Sequence, residues 1–92
     1  MTYTWEDHRK ELMKDPEFVK EWERTRVERE VARALIVARI KKKMTQAQLA
    51  KRMKTKQSVI SRVENAQTKP TLSFLQRLAD ALGGKLEVSL KV

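Results

Sequence analysis

Apolar residues recur at helical spacing along most of this 92-residue chain, interrupted by short polar breaks that carry hydroxyl or carboxylate residues. The tightest alternation lies between Thr45 and Asn65, TQAQLAKRMKTKQSVISRVEN. Thr45 predicts an N-cap, and Leu49, Ala50 and Met53 mark one apolar face of the short helix that follows. After a polar break at Lys54-Thr55-Lys56, Thr55 is the expected cap of a second short helix with Ile60 and Val63 on its apolar side. Two short helices joined by so small a turn must cross steeply, and the methyl of Ala50 lets their backbones approach. The pattern predicts a helix-turn-helix whose second helix turns Gln57, Ser58, Ser61 and Arg62 outward.

The flanking segments follow the same logic. Residues 3–14 predict a short amphipathic helix with Thr4 and Asp7 as a capping-box pair and Trp5, His8, Leu12 and Met13 on one face. Asp15 caps a second helix with Pro16 at its first position, where the missing amide costs nothing, and Phe18, Val19 and Trp22 along its apolar side. Near Thr25 this helix either breaks or runs on. From Val27 to Lys42 a longer helix is expected, with Val31, Ala34, Leu35, Ala38 and Ile40 inward. A polar loop at 66–70 precedes a helix capped by Thr71, with Leu72, Leu75, Leu78, Ala79 and Leu82 inward, and Gly83-Gly84 stops it. The last eight residues, KLEVSLKV, alternate strictly and predict a strand. Its backbone groups need a partner, either the same strand of a second copy or the sheet edge of another protein. A two-stranded ribbon across a twofold axis, with Leu86, Val88 and Leu90 as dimer contacts, is the favoured arrangement. The expected fold is therefore all-α with one C-terminal strand.

Composition narrows the function. A chain this short supports one small domain plus an appendage. The absence of cysteine excludes a disulfide framework and thiolate metal or redox chemistry. No apolar run reaches membrane length and no signal-peptide pattern opens the chain, so the cytoplasm is the expected compartment. The net charge of +9 is unevenly spread. Residues 1–26 hold seven acidic and six basic side chains, whereas residues 27–92 hold five acidic and fifteen basic ones. A polyanion-binding domain carrying a differently employed arm has this asymmetry. An enzyme is not expected: His8 is the single histidine, and neither a glycine-rich phosphate loop nor a converging carboxylate pair is present. No cofactor and no metal are implied.

TQAQLA, ISRVEN and the run KPTLSFLQRLADALG make residues 27–84 resemble the lambda-repressor-like, XRE-type DNA-binding domain. With the arm at 1–26, its motif DPEF and the strand at 85–92, the whole layout is similar to a HigA-type antitoxin of a type II toxin–antitoxin module. The resemblance implies a lambda-repressor-like helix-turn-helix domain preceded by a helical arm. In such a domain the second motif helix lies in the major groove. Gln57 is the candidate for adenine, because its amide both donates and accepts. Arg62 reads guanine or binds phosphate, and Ser58 and Ser61 can serve either role. Val59 meets either a thymine methyl or the first motif helix. Gln46 matches the family position whose amide binds phosphate, with Lys43, Lys56, Asn65 and Lys69 as helpers. Arg39 and Glu64 stand where relatives form an ion pair, implying scaffold and not readout. The chain departs from the family at Lys43, Lys54 and Ala66, where glycine is usual, so either Lys54 takes a left-handed conformation or the turn is shaped differently.

Both tryptophans, the only tyrosine and one of two phenylalanines fall within residues 1–26. Such an aromatic arm either anchors a partner protein or folds back on the first domain helix, and the two are compatible. For a HigA-type antitoxin the implied partner is a HigB-type toxin of the RelE-like ribonuclease superfamily, with Trp5, Leu12, Met13, Phe18, Val19 and Trp22 as the contact. The implied function is neutralisation of that toxin and, as a homodimer within a toxin-bound heterotetramer, repression of its own operon at a palindromic operator. The alternative is a stand-alone XRE-family repressor without a toxin.

Overall fold

Side-chain caps set where most of the helices begin. The structure, a computed structural model, describes residues 4–92, so the first three residues of the expected arm, Tyr3 included, lie outside the described residues. Six helices form among the described residues: α1 (Trp5–Leu12), α2 (Pro16–Arg24), α3 (Arg26–Lys41), α4 (Gln46–Met53), α5 (Gln57–Glu64) and α6 (Leu72–Ala81). Thr4 and Asp7 close a reciprocal capping box on α1, and Thr45 and Gln48 do the same on α4. Asp15 accepts from the Glu17 amide at 3.0 Å ahead of Pro16, and Thr71 accepts from the Phe74 amide at 3.1 Å. The chain does break at Thr25 (φ −99°, ψ 12°), whose hydroxyl donates to the Glu21 and Trp22 carbonyls and so closes α2.

Thr55 is not the cap of α5. Lys56 takes that position without a side-chain hydrogen bond, while the Thr55 amide donates to the Ala50 carbonyl at 2.9 Å. That bond belongs to the end of α4, which closes as a Schellman motif with Lys54 left-handed (φ 56°, ψ 44°). The ends of α3, α5 and α6 repeat the same paired amide-to-carbonyl bonds around Lys43 (φ 55°), Ala66 (φ 57°) and Gly83 (φ 71°). Only the last carries the residue for which positive φ is free of steric cost. Each of the other three holds roughly 1 kcal/mol of backbone strain.

The core sits among α3, α4, α5 and α6. Leu35, Leu49, Ala50, Met53, Ile60, Val63, Leu78 and Leu82 are buried, and Leu49 and Ile60 are wholly inaccessible. Full burial of each of those two contributes about 1.5–3 kcal/mol. Three residues expected inward are exposed: Ala34, Ile40 (61% exposed) and Leu72 (68%). The buried stripe of α3 runs instead through Glu28, Ala32 and Leu35. At ~100° per residue, Ala34 and Ile40 sit roughly 100° and 140° around the helix from Leu35. Leu72 is the first residue of α6, before the helix has turned onto the core.

Residues 85–92 form no strand in the single chain, and no ladder is present among the described residues. Their alternation has nothing to pair with, since every other described element is a helix or a turn. Leu86 is half-buried, while Val88 and Leu90 are 70% and 90% exposed. The first part of this tail walls an open apolar groove of about 430 Å³, lined also by Val27, Ala34, Leu72 and Leu75. Among the described residues no helix is long and apolar enough to cross a membrane.

Candidate nucleic-acid interface

The placement of α5 follows from its two faces. Ile60 and Val63 are buried against α3 and α4, so the opposite side must face out. Gln57, Ser58 and Arg62 are exposed there, Ser61 is half-buried beside them, and Val59 lies half-buried at the edge. An amide, two hydroxyls and a guanidinium thus share one rigid surface, and none of the four carries a negative charge. With no side-chain cap on α5, the Gln57 and Ser58 amides have no protein partner among the described residues. Lys43, Lys56 and Lys69 are exposed, and none is ion-paired among the described residues. Asn65 is directed elsewhere: its side-chain amide donates to the Ser61 carbonyl at 2.9 Å, finishing α5.

Behind this face lies a charged clamp. Arg39 on α3 meets Glu64 at the end of α5 through two bonds, Nε to Oε2 at 2.7 Å and Nη2 to Oε1 at 2.9 Å. Arg39 Nη1 also donates to the Met44 carbonyl at 2.9 Å. The Glu64 side chain is 5% exposed and that of Arg39 17%. Hydrogen bonding to Glu64 raises the Arg39 guanidinium above its already high ordinary pKa, partly opposed by burial. The half-buried Gln46 donates from Nε2 to Glu64 Oε1 at 3.2 Å, so the first residue of α4 is tied to the last residue of α5. With Gln46 the pair links three helices, and each of the three Arg39 side-chain nitrogens has an acceptor within the protein.

Two further arginines hold helix ends, and their roles were not legible from local pattern. Arg52 on α4 donates to the Ala81 carbonyl at the end of α6 at 3.0 Å, and Arg77 on α6 donates to the Met53 carbonyl at the end of α4. The partners are distant in sequence, so only the folded chain brings them together.

The arm meets the domain through Trp22. Arg29 on α3 places its guanidinium 3.5 Å from the Trp22 ring centre, donates to the Trp22 carbonyl, and reaches Thr25 Oγ1 at 2.6 Å. Phe18 stacks on Trp22 with ring centres 5.8 Å apart. Leu12, Met13, Phe18, Val19 and Trp22 are each half-buried, whereas Trp5 is 64% exposed and tilts against His8. Trp22 therefore packs on the first domain helix, as folding back requires, while Trp5 is exposed.

Four helices around an aliphatic core, the closely joined α4–α5 pair and a polar outer face on α5 define a DNA-binding protein of the lambda-repressor-like, XRE-type class. The family model for this helix-turn-helix (HTH_3) matches residues 35–88, more than half of the chain, and the protein belongs to that family. Among curated proteins and among solved structures, nothing matches the chain.

Proposed function

We propose that the protein is an antitoxin that neutralises a RelE-like, HigB-type ribonuclease toxin through its N-terminal arm and represses its own operon. The observation that carries this reading is the arm itself. Residues 4–24 fold into two capped helices outside the residues that match the DNA-binding family, and they hold an aromatic set with Trp5 left exposed. A DNA-binding domain with a complete aliphatic core has no need of such an element.

In this reading α5 enters the major groove of a palindromic operator, with Gln57, Ser58, Val59, Ser61 and Arg62 at base edges. Gln46 and the lysines bind phosphate. Two copies pair through Leu86, Val88 and Leu90 to set half-sites about one helical turn, ~34 Å, apart. The apolar groove beside the tail and the unpartnered alternation of 85–92 support that pairing. The protein acts in the cytoplasm, without catalysis or cofactor.

Co-expression with the product of the neighbouring open reading frame tests the proposal. The full chain is expected to retain that product on affinity resin and restore growth. A chain lacking residues 1–26 is expected to lose all capture while still shifting promoter DNA. Undiminished capture by the shortened chain would refute the role of the arm.

A further inference from the structure

The tail KLEVSLKV already lies partly along the apolar groove between α3 and α6: Lys85, Leu86, Glu87, Val88 and Ser89 line it. Leu90 and Val92 do not, and they are the most exposed large apolar side chains among the described residues. Directly opposed residues of an antiparallel pair share one face. If the tail pairs with its own copy, a register centred between two residues sets each apolar side chain against a polar one. The registers left are those centred on a residue, and their charges differ. Centred on Glu87, the two Glu87 carboxylates oppose each other. Centred on Val88, Lys85 opposes Lys91 and Val92 opposes Gly84. Centred on Leu90, neither Leu86 nor Glu87 meets a mate among these residues. Centred on Ser89, Glu87 opposes Lys91 on both sides of the axis, Leu86 opposes Val92, and Val88 opposes Leu90. Only this last register matches unlike charges and gives all four apolar residues an apolar mate.

We propose that two copies of the chain join through an antiparallel ribbon centred on Ser89, selected by a reciprocal Glu87–Lys91 ion pair. The complementarity lies within the tail's own sequence, so the occupant is a second copy. Leu90 and Val92 of each copy then stand beside Val88 and Leu86 of the other, which line the groove, and extend its apolar wall. Glu87 and Lys91 meet on the opposite, solvent-facing side. This rests on the proposed pairing through Leu86, Val88 and Leu90, and adds to it a register and the charges that fix it.

The test measures self-association of the full chain by analytical ultracentrifugation for the parent, Glu87→Lys and Lys91→Glu. Folding is spared, because both positions are exposed outside the helical core. Each reversal creates two like-charge pairs and is expected to weaken the dimer roughly tenfold. Mixing the two variants is expected to restore it, since every lysine then faces a glutamate. Native mass spectrometry with one chain ¹⁵N-labelled reads this as mixed dimer in excess of the statistical share. The chain has no cysteine, so Ser89→Cys reports the axis directly. Its two copies, ~5 Å apart, are expected to oxidise to a covalent dimer. Glu87→Cys is not, its copies standing about 14 Å apart. A Lys91→Glu dimer tighter than the parent's overturns the proposal, because the mutated residue would then face Lys85. So does a dimeric parent whose association neither reversal changes, or whose Ser89→Cys variant fails to cross-link; either leaves the pairing itself standing. A parent that stays monomeric at ~100 μM, far above the concentration a specific dimer needs, overturns the pairing as well.

Discussion

A Gln57→Ala/Arg62→Ala double variant is expected to fold as the parent does and to bind its promoter at least thirty-fold more weakly, a loss of about 2 kcal/mol or more. Folding is spared because both side chains are exposed on α5, whereas the residues that seat the helix, Ile60 and Val63, are buried. Alanine is also a good helix former. Each base-edge pair contributes on the order of 1–3 kcal/mol of discrimination, so losing two removes most of the preference for promoter over random duplex. The two sites separate by their signatures. If Arg62 binds phosphate, Arg62→Ala weakens both duplexes equally and makes the salt slope shallower by about 0.9. If it reads guanine, the loss falls on the promoter alone. Competition binding with promoter and random duplexes, alongside a circular-dichroism melt, measures all of this. A folded double variant with the parent's affinity and selectivity would remove α5 from the interface.

Replacing Glu64 by alanine is expected to destabilise the fold by about 3 kcal/mol, lowering Tm by roughly 12 °C or more in a domain of this size. The magnitude follows from what is left behind. Arg39 keeps its bond to the Met44 carbonyl but loses both bonds to the carboxylate while remaining largely enclosed, and Gln46 loses its acceptor. An enclosed charge deprived of its partner costs more than the intact pair contributes. Replacing both members by apolar residues of similar volume is therefore expected to recover much of the loss, which a double-mutant cycle reads directly. Glu64→Ala with the parent's Tm would mean that the carboxylate is well solvated and the clamp idle.

The helix starts were readable because a cap acts over three residues, a range that sequence spacing captures. Thr4, Asp15, Thr45 and Thr71 all cap as their positions imply. The apolar faces of α4 and α5 were equally plain, since Leu49, Ala50, Met53, Ile60 and Val63 are the only apolar residues at the required spacing on those short helices besides Ala47 and Val59. Thr55 misled because a hydroxyl before a helix resembles a cap even when its amide is committed to the preceding one. Ala34, Ile40 and Leu72 misled because periodicity identifies an apolar stripe without fixing its centre, and on α3 the centre lies toward Ala32. The tail shows a further limit: alternation specifies a face, but pairing needs a second strand that the single chain does not offer. Arg52 and Arg77 could not be placed at all, because their acceptors are backbone carbonyls, which any residue presents.

The crossed arginines between α4 and α6 carry a dynamic consequence. Their contacts span 29 and 24 residues of chain, and each helix secures the terminal carbonyl of the other. Unwinding the last turn of either one releases its neighbour's acceptor, so fraying at the two ends is concerted. The ends of α4 and α6 are therefore expected to gain or lose amide-exchange protection together, on either side of the segment that carries α5.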